Sequence, residues 1–310
     1  MASVLVMLST YNGELFLAQQ LDSLFAQKNV NVHILARDDG SSDETVSILN
    51  KYKNQYGGMT ILTEKNIGAA KSFYRLMDYA VSEMSKYDFY AFCDQDDVWY
   101  ENKLEQSISF FKPESKKPQL FFSAAKIVDS NLNPIEDKSP IRVVNNMYAN
   151  IISPHSLGCT QVFNYVVLEQ AAKIWSMISV YKFFPMHDSW VLRMTYALDG
   201  EVFFFEKPLI YYRQHSKNVV GAGGSRIQLM KNRIKRYIFN KTKAKSRCCC
   251  YLLELYSNSI ATEKFSFLWL CSNYDKSLKF KIKLLFSKKI YQYGLVENFG
   301  LIIMILFNRF

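Results

Sequence analysis

The sequence predicts an α/β fold, a mostly parallel sheet flanked by helices, with a basic helical C-terminal extension. Three observations predict it. Strand-like and helix-like segments alternate through the first 111 residues. Each strand-like segment runs into a polar cluster. The positive charge is confined to the last quarter of the chain.

The elements follow in order. "SVLVMLS" (3–9) reads as a buried strand, and Leu17, Leu21, Leu24 and Phe25 then fall at helical spacing. "VHILARDD" (32–39) is a second strand. "GSSDETVSILNKY" opens a helix, with Ser41 and Glu44 spaced as a capping box and Val46, Leu49 and Tyr52 on one face. "MTILTE" (59–64) and "GAAKSFYRLMDYAV" (68–81) give the third strand and helix. "YDFYAFC" (87–93) and "YENKLEQSISFF" (100–111) give the fourth pair. Repeated strand–helix units mean right-handed crossovers and parallel pairing. Further on, "QLFFSAAKIVD" suggests a strand or bent hairpin before a turn at "SNLNP". Helices are expected over 145–153, 164–177 and 187–198. "EVFFFEKPLIYYR" reads as two short strands around Pro208.

Composition narrows the class. Of 310 residues, 49% are hydrophobic and 15% aromatic, which favours a packed core over disorder. Residues 1–225 hold 21 Lys and Arg against 24 Asp and Glu, whereas 226–310 hold 17 against 4. Such a tail fits an anionic partner, a lipid surface or nucleic acid. The composition changes after Gly223 and Gly224, which places a boundary near 225. Cys93, Cys159, Cys248, Cys249, Cys250 and Cys271 include no Cys-x-x-Cys pair, and a reducing compartment fits them better than a disulfide framework. "MASVLVMLSTYNGE" lacks the basic start of a secretory signal. No window reaches the roughly 20 apolar residues that span a bilayer.

In open parallel sheets, ligands bind beyond the carboxyl ends of the strands. Four polar clusters are expected there: "STYNGE", "DDGSSD", "EKNIGA" and "DQDD". The last places Asp94, Asp96 and Asp97 within four positions. Carboxylates so close repel unless solvated or neutralised by something positive. An Asp-x-Asp at a strand end can hold Mg²⁺ or Mn²⁺, with phosphate oxygens completing the shell; it can also be a solvated turn that caps the next helix. Asp38 and Asp39 can accept hydrogen bonds from a ribose or a base, or sit as helix-start acids. Asn66–Gly68 and Thr10–Asn12 are weak signals singly, each compatible with an ordinary turn.

In this order and spacing, "LSTYNGE", "DDGSSDET", "NIGAAKSF" and "CDQDDVW" resemble the nucleotide-sugar half of family 2 glycosyltransferases. The resemblance covers roughly residues 3–225. It implies a GT-A fold with a Rossmann-like sheet, a nucleotide-sugar half at about 1–125 and an acceptor half at about 126–225. It implies a donor pocket drawn from Thr10, Tyr11, Asn12, Glu14, Asp38, Asp39, Asn66, Gly68, Lys71, Asp94 and Gln95. Asp96 is the implied metal ligand on the diphosphate. "FPMHDSWVL" resembles the segment that carries the general base, with Asp188 as the matching carboxylate; without the resemblance it is equally a helix N-terminal acid. "IYYRQHSKNVVG" resembles the segment that closes over the diphosphate. It offers Arg213 and Gln214 to phosphate and His215 to Mn²⁺ or Mg²⁺. "LGCTQVFN" resembles an acceptor-side loop, so Gly158, Cys159 and Thr160 are expected there with His187 and Trp190.

The resemblance further implies inversion at the anomeric carbon, with Asp188 deprotonating the acceptor hydroxyl. The set "CDQDDVW", "MHDSW" and "YRQHSKNVVG" looks most like bacterial rhamnosyltransferases of cell-wall and capsule polysaccharide, whose donor is dTDP-L-rhamnose. A UDP-hexose transferase of the same family is the alternative. The Gln-x-x-Arg-Trp motif of processive synthases is absent from the sequence. Residues 226–247 mix nine Lys and Arg with Ile, Leu, Met, Tyr and Phe, and "KSLKFKIKLLFSKK" and "FGLIIMILF" follow. They suit an anionic membrane interface and a lipid-linked saccharide acceptor, which places the protein at the cytoplasmic face of a membrane. A nucleic-acid-binding protein leaves the acidic clusters unexplained. A non-catalytic sugar-nucleotide scaffold predicts binding without turnover, and a metal-dependent phosphohydrolase predicts hydrolysis without an acceptor.

Overall fold

The computed structural model describes residues 1–136, 144–215, 241–291 and 294–310. The boundary near 225, most of the basic run from 226, and the part of "IYYRQHSKNVVG" beyond His215 lie outside those residues. The strands are β1 (Ala2–Thr10), β2 (Val30–Asp38), β3 (Met59–Thr63), β4 (Phe89–Cys93), β5 (Val98–Trp99), β6 (Gln119–Val128), β7 (Pro134–Glu136), β8 (Val162–Phe163) and β9 (Glu201–Arg213). The helices are α1 (Leu17–Phe25), α2 (Thr45–Tyr56), α3 (Ala69–Ser82), α4 (Lys103–Ile108), α5 (Met147–Ile152), α6 (Tyr165–Ala172) and α7 (His187–Ala197). Four more follow: α8 (Ala244–Tyr256), α9 (Thr262–Ser272), α10 (Leu278–Leu285) and α11 (Leu295–Leu306).

One sheet runs β3-β2-β1-β4-β8-β6-β9-β5, with β7 against β6. The long ladders, β2 on β1, β4 on β1, β3 on β2 and β9 on β6, are parallel. The antiparallel pairings are two residues each. β1 is apolar on both faces because helices cover both sides. Val4, Val6 and Leu8 join the cluster with Leu17, Leu21 and Leu104, while Leu5 and Met7 join the one with Phe73, Phe92 and Trp190. Cys249, Leu252, Tyr256, Leu268 and Cys271 belong to that second cluster, so the C-terminal helices pack on the same face. Cys248, Cys249 and Cys271 are buried free thiols, and the cysteine run is thereby explained as packing.

Three elements differ from the sequence reading. The helix expected over 100–111 is shorter, α4 alone; a two-residue strand, "VW", precedes it on β9, and the Tyr100 amide still donates to the Leu209 carbonyl at 3.0 Å. β9 is one strand, not two. Its register skips between Phe205 and Pro208, which absorbs a residue that cannot donate to a ladder. The capping box does not form. Ser41 Oγ instead donates to Asp38 Oδ1 at 2.5 Å, and the Glu44 amide donates to Glu14 Oε2 at 3.1 Å.

Register places the strand ends level. Thr10 pairs with Asp38, Asp38 with Thr63, and Leu8 with Cys93. The loops that follow therefore leave one edge together. Arg37 fixes two of them. Its side chain is fully buried on β2. Nε donates to Glu64 at 2.8 Å, Nη1 to Asp39 at 2.6 Å and to Ser72 at 3.0 Å, and Nη2 to the Lys65 carbonyl at 3.0 Å. Removing one member of a buried ion pair strands the other, at about 3–5 kcal/mol. Arg37→Ala should therefore lower unfolding stability by about 3–5 kcal/mol in urea titrations. A loss below about 1 kcal/mol, the surface-pair range, would contradict this role.

Candidate active site

The first two loops are bound to each other by their own polar groups. Asn12 sits at φ 47°, a left-handed conformation that Asn tolerates. Its amide donates to Ser41 Oγ at 2.9 Å, and its Oδ1 accepts from the Ser42 amide at 2.9 Å. The Glu14 amide donates to Asp43 Oδ2 at 3.1 Å. Asp38 accepts from Thr10 Oγ1 at 3.1 Å and from the Gly40 and Ser41 amides at 3.1 and 2.8 Å. Asp39 accepts from Arg37, and from the Ile67 and Gly68 amides at 2.8 and 2.9 Å. Both carboxylates are buried and spend most of their acceptor capacity on the loops. Gly68 has φ 85°, which suits glycine, and it turns its amide onto Asp39 just before α3 begins. Tyr11 is exposed, as are Asn66 and Gly68. Lys71 reaches Phe184, with Nζ 5.5 Å from the ring centroid.

The acidic loop after β4 is held on three sides. Gln95 Oε1 accepts from the Tyr11 amide at 2.8 Å, and Nε2 donates to the Tyr11 carbonyl at 3.0 Å, so it mimics a strand partner. Arg213, buried at the end of β9, clamps the rest. Nε donates to the Asp96 carbonyl at 2.7 Å, Nη1 to the Ser130 carbonyl and Nη2 to Gln19 Oε1 at 2.5 Å. Its guanidinium lies 4.4 Å from the Phe16 ring centroid, and its amide donates to Asp97 Oδ1 at 3.0 Å. Arg213, expected on phosphate, here holds the loop. Gln214 donates its amide to the Val128 carbonyl at 2.8 Å. His215 Nε2 lies 2.8 Å from Asp96 Oδ2, so the two expected metal ligands meet although 119 residues separate them.

Burial, then the charges of Asp96 and Asp188, push the Asp94 carboxyl up to about 7. Burial raises the Asp97 carboxyl well above its ordinary range, against the amide of Arg213 and the thiol of Cys159, which favour its ionised form. One oxygen each of Asp94 and Asp97 and the Cys159 Sγ lie within 4.8 Å of one another, which adds a thiol to the acidic group.

The facing wall is the start of α7. Asp188 stands in its first turn, half-buried, and its Oδ1 accepts from the Ser189 amide at 2.6 Å. Burial raises its carboxyl to about 6, against the hydrogen bonds that stabilise the ionised form. The neighbouring short helix Gly158–Thr160 presses on it. A Cβ at Gly158 would stand 2.6 Å from His187 Nε2 and 3.3 Å from Asp188 Cβ. His187 itself is core: it stacks on Phe73 at 3.7 Å between centroids, and burial depresses its imidazole to about 3. Trp190 is fully buried in the cluster with Ile174 and Leu252. Cys159 and Thr160 are also buried, and Thr160 Oγ1 donates to the Leu157 carbonyl at 2.8 Å. Of the residues expected on the acceptor side, His187 and Trp190 therefore face inward.

Sequence reasoning missed Arg37 and Lys103, and it gave Asp97, named in the acidic run, no role of its own. Lys103 is fully buried, with Nζ 3.0 Å above the Trp99 ring centroid, and desolvation lowers it to about 7. A lysine four positions after Trp99 reads as a solvated helix face, and no local signal distinguishes it.

The Glycosyl transferase family 2 model matches residues 5–138. Over 227 residues the chain is 30% identical to the dTDP-rhamnosyl transferase RfbG of Shigella flexneri, covering 69% of this chain and 74% of that protein. S. aureus TarS 1–349, solved with UDP-GlcNAc, superposes with TM-score 0.54 at 17% identity, over 99% of this chain and 89% of that one. The mannosyltransferase PcManGT of Pyrobaculum calidifontis, solved with GDP-Man and Mn²⁺, gives 0.53 at 14%, over 98% and 84%. The sheet and its flanking helices have the GT-A architecture of these neighbours. By its family match over residues 5–138 and its 30% identity to RfbG, the chain belongs to glycosyl transferase family 2.

Proposed function

We propose that the protein transfers L-rhamnose from dTDP-rhamnose, with inversion, to a saccharide acceptor carried on a lipid at the cytoplasmic face of a membrane. One observation carries the catalytic part. The short helix Gly158–Thr160 touches both walls: Cys159 Sγ lies within 4.8 Å of oxygens of Asp94 and Asp97, and a Cβ at Gly158 would stand 3.3 Å from Asp188 Cβ, which brings the base candidate on α7 beside the acidic loop after β4. The donor assignment is supported by RfbG, a dTDP-rhamnosyl transferase at 30% identity. The acceptor assignment is supported by the basic extension.

The chain's residues divide the work. Thr10, Tyr11 and Asn12, braced by Asp38 and Gln95, shape the nucleotide side. Asp39 sets the turn at Ile67 and Gly68 on the same side. Asp96 and His215 offer a carboxylate oxygen and an imidazole nitrogen to one point, a donor set that suits Mn²⁺ better than Mg²⁺. A cation there supplies Lewis-acid stabilisation of the leaving nucleoside diphosphate. Asp188, ionised above about pH 6, accepts the proton of the acceptor hydroxyl. Its raised pKa makes it a stronger base than a solvated carboxylate while leaving it ionised at neutral pH.

Asp188→Asn should lower kcat about 10²–10⁴-fold, the range for loss of a general base, with dTDP affinity unchanged in calorimetry. Near-normal transfer would remove Asp188 from the mechanism. Protonation disables a base, so activity should fall about tenfold per pH unit below about pH 6; a profile flat down to pH 4 would contradict this.

Asp96→Ala should abolish the Mn²⁺-dependent part of dTDP binding. An equal Mn²⁺ dependence in the variant and the parent counts against the ligand role.

The donor reading is tested with dTDP-rhamnose, UDP-glucose, UDP-galactose and GDP-mannose, each with Mn²⁺, by thermal shift and product release. A shift and turnover with dTDP-rhamnose alone is the expected outcome. Turnover with a UDP-hexose instead would favour the alternative, and binding without any turnover would leave a scaffold.

A further inference from the structure

Helices α10 and α11 carry an apolar face that the rest of the described chain does not cover. On α10, Leu278, Ile282 and then Phe286 recur every four residues on one side; Leu278 is 71% and Phe286 82% exposed. On α11, Leu295, at 87%, leads a stripe with Val296, Phe299 and Leu306, all exposed. The opposite sides of both helices are packed, with Leu284, Leu301 and Ile305 buried. The helices lie together, since Lys281 Nζ donates to the Leu306 carbonyl at 3.4 Å. Beside them a groove of about 320 Å³ opens between α9 and α10, lined by Phe265, Trp269, Leu270 and Phe280, with Lys283 among its residues. Large apolar side chains exposed in rows along two touching helices mark an interaction site.

Charge selects the occupant. From Lys276 onward the chain carries six lysines and Arg309 against one acid, Glu297. Lys279 and Lys283, both exposed, directly follow Leu278 and Ile282. A second copy of the chain would set lysines against lysines. An anionic leaflet satisfies both features, taking the apolar side chains below its headgroups and meeting the ammonium groups at them. The geometry is in-plane. α11 has 12 residues, about 18 Å at helical rise, and among the described residues no helix is long and apolar enough to cross a membrane.

We propose that α10 and α11 form a docking surface for an anionic lipid leaflet. It inserts Leu278, Phe286, Leu295 and Phe299 and seats Lys279 and Lys283 among the headgroups. This deepens the proposed function by naming the surface that would meet a lipid-linked acceptor, and it is measured without donor or acceptor.

The test is flotation of the full chain with vesicles of phosphatidylcholine plus phosphatidylglycerol, and of phosphatidylcholine alone. The parent should float with the anionic vesicles only. Phe286→Ser, Leu295→Ser and Phe299→Ser together should cut partitioning more than tenfold, given about 1.5–3 kcal/mol per buried large apolar side chain. Lys279→Gln with Lys283→Gln should cost about fivefold per lysine and weaken the salt dependence. Calorimetric dTDP binding, run on the same variants, should be unchanged. It separates lost docking from lost fold, and it reports failure of the donor reading by itself. Unaltered flotation of the triple variant would overturn the proposal. So would a parent that ignores vesicles but self-associates in sedimentation equilibrium through the same three side chains.

Discussion

The structure depends on how negative charge is balanced at one edge of the sheet. Parallel register brings the ends of β1, β2, β3 and β4 level, and the loops there carry Asp38, Asp39, Asp94, Asp96 and Asp97. Carboxylates gathered in a partly buried site cannot all ionise without partners. The protein supplies partners unevenly. Asp38 and Asp39 are served by amides, hydroxyls and Arg37. Asp97 takes the Arg213 amide and the Cys159 thiol, with Lys103 buried in the same region. Asp94 and Asp188 have their carboxyls raised to about 7 and 6. Of the under-balanced groups, Asp94 and Asp97 lie together around Cys159. The proposed cation and base roles would draw on this imbalance.

This division explains what the sequence could and could not disclose. Alternating strands and helices were legible because each segment has its own period and punctuation, and the strand-end clusters followed from topology alone. The fates of individual carboxylates were not legible, because adjacent strand residues point to opposite sides. "RDDG" looks like two ligand-facing acids, yet both are consumed by loop amides and by the arginine beside them. Arg37 in a strand reads as a solvent-facing cation. Only the distant Glu64 and Ser72 reveal it as a buried hub. The acceptor-side expectations for His187 and Trp190 went the other way. Their helical period with Val191 and Met194 was visible in "HDSWVLRM", and it marks the buried face of α7. The family resemblance points these two to the acceptor side, whereas the period marks them as core, as their burial shows.

The C-terminal helices show a similar layering of signals. Their net charge sets them apart from the first 225 residues, but their inner side chains share a hydrophobic cluster with α6 and α7. Charge lies on surfaces and apolar periodicity on interiors, so one segment can be distinct in the first respect and integral in the second. Tyr181 stacks on Tyr251 at 3.6 Å and donates to Glu254 at 2.5 Å, and Lys264 reaches Asp199 at 2.6 Å. These contacts tie α8 and α9 to the segments that flank α7. Removing the extension would uncover that apolar wall, so its surface is best altered by point substitution.

The pairing of Asp96 with His215 also follows from the sheet. β5 is two residues long and contributes little by itself. Its antiparallel register, Val98 to Tyr211 and Trp99 to Ile210, starts directly after the acidic loop and ends directly before Arg213. The strand that closes one loop thereby delivers the other. Arg213 then completes the lock by donating from its amide to Asp97 and from its side chain to the Asp96 carbonyl. His215, two positions on, is left with little freedom except to meet the Asp96 carboxylate. Both candidate metal-ligating side chains are therefore set by backbone pairing and one buried guanidinium before any cation or donor arrives. Pre-organisation of this kind would lower the ordering cost of the diphosphate binding proposed above. It also places the demand for rigidity on Arg213, whose carbonyl contacts a lysine's single ammonium could not reproduce as a planar fork.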